Sequence, residues 1–588
     1  MILAVALLPL LGRPAAAEVP PTPWAESDGL RTPRYGETLA WCRALAAAAD
    51  QVQVTSFGTS GQGRDLPLVI WDRRGRFAPE PRADRAVVLL QACIHAGESS
   101  GKDAGMELLR DLVEGRFARQ YGTALDRVTF LFIPIFNADG HERFSPYGRI
   151  NQNGPVEMGW RTNAANLNLN RDYLKADTPE MQAWLGLWQA WLPDFFIDAH
   201  STDGADYQYA LTYSLDPYLC PDADLAAWVE RYETGLTQQL AGDGWPIIPY
   251  VTFKEWHDPR SGLRNWAATP RFSQAYAAVQ NRPGLLIETH MLKDYPTRVR
   301  AAGAMIARTL AWVDARAGEL TALNAATDLR VASAAFRAEP FPLRFRTTDD
   351  VTTVDFLGVA YTERTSEVTG GRYFEFSDRP ETWPLPYWGR VEPSVTARLP
   401  EAYLVPPEWS AVIERLERHG VVCRRLAEPV ELEVRTWRLN DPQWQAEPYE
   451  GRHPLTHTPE PLVETRLWPA GTVVVDLAQR TAPVAAHLLE PEGPDALVQW
   501  GFFDSIFSRT EYVESYVIEK LIPGLLAEHP EWAEELAARK AADPDFAADP
   551  QAIRHWFYMR TPYYDTRVGI YPVACLDSCN ILQLLPLD

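Results

Sequence analysis

From about residue 50 to 315 the chain alternates short apolar, β-branched runs with longer segments whose apolar positions recur at three- and four-residue steps. The runs at 66–71, 86–93, 128–135, 194–199 and 284–287 have the length and composition of buried strands, and the segments 102–114, 225–240 and 298–315 have the period of helices. This alternation predicts an α/β unit, a mixed sheet with helices on both faces. Near residue 320 the pattern turns β-rich and proline-punctuated, as at 353–361, 372–376 and 472–477. It turns again at 511–540, which reads as helical, ahead of the aromatic-rich stretch 555–564. The expected division is a signal peptide over 1–17, an α/β domain over 18–320 and a β-rich accessory domain ending in helices over 321–588.

A length of 588 residues agrees with two or three domains, and 46% hydrophobic with 23% charged residues is a globular composition. A formal net charge of -22 argues against nucleic acid or an anionic membrane surface as partner, because both require clustered Lys and Arg. The opening apolar run ends in Ala15-Ala16-Ala17, the small-residue pattern a signal peptidase accepts, so a secreted or periplasmic protein beginning at Glu18 is expected; a buried N-terminal strand or helix is the alternative. No other apolar stretch reaches the ~18 residues of a membrane span. The six cysteines are too sparse to demand a disulfide framework.

Candidate chemistry sits where the strands end. The run 86–93 leads into Ile94-His95-Ala96-Gly97-Glu98, and the run at 194–199 leads into His200-Ser201. Open α/β sheets place their sites at such carboxyl ends, and two histidines with one carboxylate suit a catalytic zinc that keeps a fourth position for water. An HxxE spacing alone is common and usually does nothing. A third buried run, 284–287, ends in Glu288, a carboxylate placed to act as a base, with His290 two residues on.

Between these lie Asn137-Ala138-Asp139-Gly140, then Gly159-Trp160-Arg161, then Asn168-Leu169-Asn170-Arg171. In this order the motifs resemble the zinc carboxypeptidase family of digestive and bacterial enzymes over about residues 35–315, as an exported bacterial member with a long C-terminal extension. The resemblance implies that His95, Glu98 and His200 hold Zn2+. It makes Glu288 the general base, gives Arg161 the scissile carbonyl and its oxyanion, and gives Asn170 and Arg171 the substrate's free carboxylate. Tyr276, upstream of the base on a loop-like stretch, corresponds to the family's mobile, substrate-covering tyrosine. One departure is Asn168, where the family often has an acid that orients the first zinc histidine. Asp198, two residues before His200 and therefore on the same side of its strand, is positioned to compensate. His290 is expected to support the site rather than hold metal.

The implied activity is hydrolysis of the C-terminal peptide bond of peptides, proteins or cell-wall peptides by metal-activated water. One alternative is a zinc amidohydrolase of the succinylglutamate desuccinylase or aspartoacylase type, against which the exported start and the long accessory domain speak. The other is an inactive peptidase-fold binding protein, against which the intact ligands and Glu288 speak.

Overall fold

The structure, a computed structural model, describes residues 19–80, 84–202, 204–255 and 258–588. The signal peptide expected over 1–17 lies outside them. Among the described residues no helix is long and apolar enough to cross a membrane.

Strands β1 (Val52–Thr59), β2 (Asp65–Trp71), β3 (Ala86–Ala92), β4 (Val128–Ile133), β5 (Phe195–Thr202), β6 (Leu211–Ser214) and β7 (Ile247–Pro249) join β9 (Gly284–His290) in one sheet, ordered β1-β2-β4-β3-β5-β9-β6-β7. The two-residue β8 (Leu263–Arg264) stands outside it. The central strands β4, β3, β5 and β9 are parallel and buried at every position, which is why they read as continuous apolar runs rather than alternating ones. Both β5 and β9 run further than their apolar cores suggest. As a result His200 and Glu288 lie within strands and face each other across the ladder.

Helices Tyr35–Ala48, Ser100–Val113, Ala223–Gly242 and Tyr295–Ala315 pack one apolar layer against the sheet through residues such as Leu45, Leu109, Tyr232 and Met305. The other face is covered by helices Pro179–Trp191 and Ser273–Val279. That second layer continues into the C-terminal half: Trp184, Trp188 and Tyr276 share one core with Tyr403, Ile413, Val473 and Trp437. The C-terminal half is built on a six-stranded sheet that includes Val430–Trp444, Leu455–Trp468 and Ala574–Leu576. A separate long hairpin, Thr352–Thr365 with Arg372–Trp388, pairs with β8 through Tyr387 and Trp388. The stretch expected to be helical near 511–540 forms two helices, Ser515–Glu528 and Glu531–Ala542, because Pro530 removes a backbone donor at the break. All six cysteines are free thiols.

Candidate metal centre and active site

The chain leaves β3 through Cys93, whose left-handed φ of 57° swings the following residues over the end of the sheet. Gly97 is required there. A Cβ at this position would stand 2.7 Å from the carbonyl oxygen of Gly159, in the segment that carries Trp160 and Arg161. That segment is held in turn by the Asn137 turn, since Asn137 Nδ2 donates to the Arg161 carbonyl at 3.2 Å and Trp160 N donates to Gly140 O at 2.8 Å. Asp139 has a structural part, accepting from Ser60, Gln62 N and Arg64.

Three buried side chains converge at the ends of β3 and β5. His95 Nδ1 and His200 Nδ1 are 3.2 Å apart, His95 Nδ1 lies 3.1 Å from Glu98 Oε1, and His200 Nδ1 lies 3.1 Å from Glu98 Oε2. Tetrahedral zinc with bonds near 2.0–2.2 Å separates its ligand atoms by roughly 3.3 Å, so this donor set fits the ion. The remaining ring nitrogens are taken. His95 Nε2 donates to Asn168 Oδ1 at 2.9 Å and His200 Nε2 to Asp198 Oδ2 at 2.7 Å, leaving both Nδ1 atoms toward the centre. Asp198 is itself fixed by Gln91 Nε2 at 3.0 Å. Asn168 therefore does, as a neutral acceptor, what an acid was expected to do.

Burial drives the His95 pKa down to about 4, against the pull of Glu98. Burial works the same way on His200, but the ionised Asp198 beside it prevails and holds its pKa well above the usual value. Glu98 is held well below the usual carboxylate range: burial opposes its ionisation, and His95, Arg149 and His200 outweigh it. Glu288, a third-strand residue with an Oε2 that takes no hydrogen bond among the described residues, is pushed up by burial to about 8, partly offset by His200.

A cavity of about 610 Å³ opens over this group and is lined by His95, Glu98, Glu288, Arg149, Arg161 and Tyr250 among others. Arg161 reaches Glu98 Oε1 at 3.4 Å with 43% of its side chain exposed. Sequence reasoning missed Arg149, which is 12% exposed and bonds the same oxygen at 2.7 Å. It is delivered by the loop closed between Ser145 and Met158, whose polar sequence carries no signal of its own. The rim is apolar and exposed at Tyr147, Ile150 and Trp160.

Asn170 and Arg171 sit on the loop of Asn168 but do not line this cavity. Asn170 is buried, with Oδ1 accepting from Ser273 N at 3.3 Å. Arg171 is half-buried, stacked on Phe272 at 4.3 Å, and donates from Nε to Tyr449 at 3.1 Å. Tyr276 departs from expectation. It lies in the helix Ser273–Val279, fully buried against Trp184 and Trp188, with its hydroxyl bonded to His419 Nδ1 at 2.7 Å, so it belongs to the core and cannot cover a substrate. Two other tyrosines line the cavity: Tyr147 on the rim, and Tyr250, just after β7, whose hydroxyl accepts from Thr202 at 3.1 Å. His290 lies 3.1 Å from Asp206 and stacks on Tyr207, away from the three ligands.

The model of the family described as zinc carboxypeptidase matches residues 38–231, a stretch containing His95, Glu98, Arg161, Asn170, Arg171 and His200 but ending before Glu288. Carboxypeptidase 2 of Trichophyton rubrum is 25% identical over 499 residues, 81% of this chain and 85% of that protein. Carboxypeptidase 2 of Trichophyton equinum is 24% identical over 515 residues, 84% and 88% of the respective chains. Alignments of that length extend well beyond the α/β half. Among solved structures, the metallo-carboxypeptidase from Burkholderia cenocepacia aligns at 20% identity over 48% of this chain and 68% of its own, with a TM-score of 0.35. The family match and the named relatives support the zinc carboxypeptidase family. Those relatives are fungal, so the expected bacterial source finds no support in them.

Proposed function

With the zinc carboxypeptidase family supported, and the chain accordingly a hydrolase of the metallocarboxypeptidase kind, we propose that it removes residues from the carboxyl termini of peptides or proteins outside the cytoplasm, after export by the leader at 1–17. The observation that carries this reading is the meeting of three mutually spaced ligand atoms, from His95, Glu98 and His200, with a cavity lined by His95, Glu98 and Glu288, whose buried Oε2 takes no hydrogen bond among the described residues.

His95, Glu98 and His200 would hold a zinc ion, which would supply Lewis-acid chemistry at this site. Glu288 takes the proton of the attacking water and hands it to the leaving amine, a role suited to a carboxylate whose burial keeps its proton affinity near neutrality. Arg149 and Arg161 present guanidinium donors to the oxygen on which negative charge grows. Asn170 and Arg171 take the substrate's terminal carboxylate, and the rim formed by Tyr147, Ile150 and Trp160 gives peptide side chains an apolar surface. A second reading, in which Arg149 and Arg161 take that carboxylate instead, is favoured by their lining the cavity. Incubation with a mixed peptide pool, read by mass spectrometry, tests the function. Loss of single residues from free carboxyl termini is expected. Internal cleavage, or turnover confined to N-acyl amino acids, would contradict it.

A further inference from the structure

A second cavity, of about 260 Å³, adjoins the catalytic one and shares Tyr250 with it. Its lining combines Tyr213, Tyr218, Tyr250, Trp266 and Tyr387 with one carboxylate, Glu233, and among the described residues no Lys, Arg or His lines it. Both halves of the chain build it. Tyr213 lies on β6, Tyr250 follows β7 and donates its backbone N–H to Tyr213 O at 2.7 Å, and Glu233 comes from the helix Ala223–Gly242. Trp266 follows β8, and Tyr387 belongs to the long hairpin of the C-terminal half. These last two segments are locked together: Tyr387 pairs with Leu263, Asn265 N donates to Trp388 O at 2.9 Å, and Asn265 Nδ2 donates to Gly389 O at 3.0 Å. Gly389 is required there, because a Cβ would stand 2.6 Å from the Tyr387 ring and displace it.

The negative charge of this wall has no basic partner. Tyr213 donates its hydroxyl to Glu233 Oε1 at 2.7 Å, and among the described residues Glu233 makes no ion pair. Burial raises its pKa against that hydrogen bond, and Glu230 adds to the effect. A second carboxylate, Asp216, lies beside the lining residues Ser214 and Tyr218, whose hydroxyls reach its Oδ1 at 3.4 and 2.8 Å. It is buried, its Oδ2 takes no hydrogen bond among the described residues, and burial pushes its pKa up to about 6. Acids buried without a base are costly, and an organic cation relieves the cost twice, by answering their charge and by its attraction to aromatic rings. We propose that this cavity binds an organic cation, an ammonium or guanidinium head held by Glu233 among the rings of Tyr213, Tyr250, Trp266 and Tyr387. The shared wall at Tyr250 lets that cation arrive as a basic side chain of a peptide in the catalytic cavity or as a free amine. Cation binding here is independent of the proposed peptidase activity.

Calorimetric titration of the full chain with tetramethylammonium, which cannot ligate a metal, tests the site, with tert-butanol as the neutral counterpart. The cation is expected to bind saturably and the alcohol not to bind. Glu233→Gln should weaken the cation about tenfold, as loss of a charged partner does. Trp266→Ala, at a residue 38% exposed, should weaken it about threefold, and it carries the test if Glu233→Gln fails to fold. The source is read from kcat/KM for peptides alike except for Lys or norleucine at each of their last positions. A Lys preference at one position, abolished in Glu233→Gln, assigns the cation to the substrate; cation binding without such a preference assigns it to a free amine. Failure of wild type to prefer tetramethylammonium over tert-butanol, or binding unchanged in Glu233→Gln, overturns the proposal. Peptides left uncut while the cation still binds would count against the proposed function alone.

Discussion

The two histidines of the centre are oriented by unlike partners, a carboxylate for His200 and an amide for His95, and exchanging them should move metal affinity in opposite directions. Asp198 is fully buried, 2.7 Å from His200 Nε2, and its charge is what holds the His200 pKa up against burial. Asp198→Asn keeps an acceptor for that nitrogen. Its new amide can face Gln91 if that side chain turns over its Oε1, which has no partner among the described residues, so geometry survives and charge is lost. Removing such a supporting partner costs about 10- to 100-fold in metal affinity, or about 1.4–2.7 kcal/mol. Asn168→Asp places a carboxylate on His95 Nε2 and should tighten binding, by less, because the new charge lies close to the Glu450 carboxylate that holds the Asn168 backbone. Competition against a chromophoric zinc chelator at fixed pH measures both. Unchanged affinity in Asp198→Asn, or both variants moving the same way, would refute the reasoning.

Glu288→Gln should retain metal and fold while kcat falls by about 10²- to 10⁴-fold, the usual worth of a general base; a near-normal rate moves the base elsewhere. Because a base must be deprotonated, kcat/KM should rise with pH through its acid limb, and a bound dication should place that limb below the value of about 8 that burial imposes on Glu288; a rate falling from pH 5 to 8 would count against it. Buried His419 bridges the halves, with Nδ1 at Tyr276 and Nε2 at Leu174 O, and burial lowers its pKa from 6.5 to about 4. The unfolded chain therefore binds the extra proton between those values. Stability should be full above pH 6.5 and should fall by up to about 3 kcal/mol on approaching pH 4. Urea midpoints across that range should slope less in His419→Gln, and an equal slope would remove His419 from the account.

What could be read from the sequence follows from how each feature is encoded. Four parallel strands buried on both faces leave unbroken apolar runs, so β3, β5 and β9 were legible, and with them His95, His200 and Glu288 at their ends. The two-residue period of a strand was enough to place Asp198 beside His200. Tyr276 misled because its helix has only seven residues, all buried, and shows no amphipathic period. Arg149 depends on a loop closure across thirteen positions, and Tyr449 and Glu450 on a turn some 280 positions from the loop they hold, relations that local pattern does not carry. The helices expected on both faces are present, but part of the second face is covered by the C-terminal half, whose strands gave no hint of what they pack against.

The central claim, that His95, Glu98 and His200 form one zinc site, is tested most directly by the metal content of the purified protein compared with His200→Ala. The account predicts one zinc per chain in the first and loss of it in the second; zinc retained undiminished in His200→Ala would contradict it.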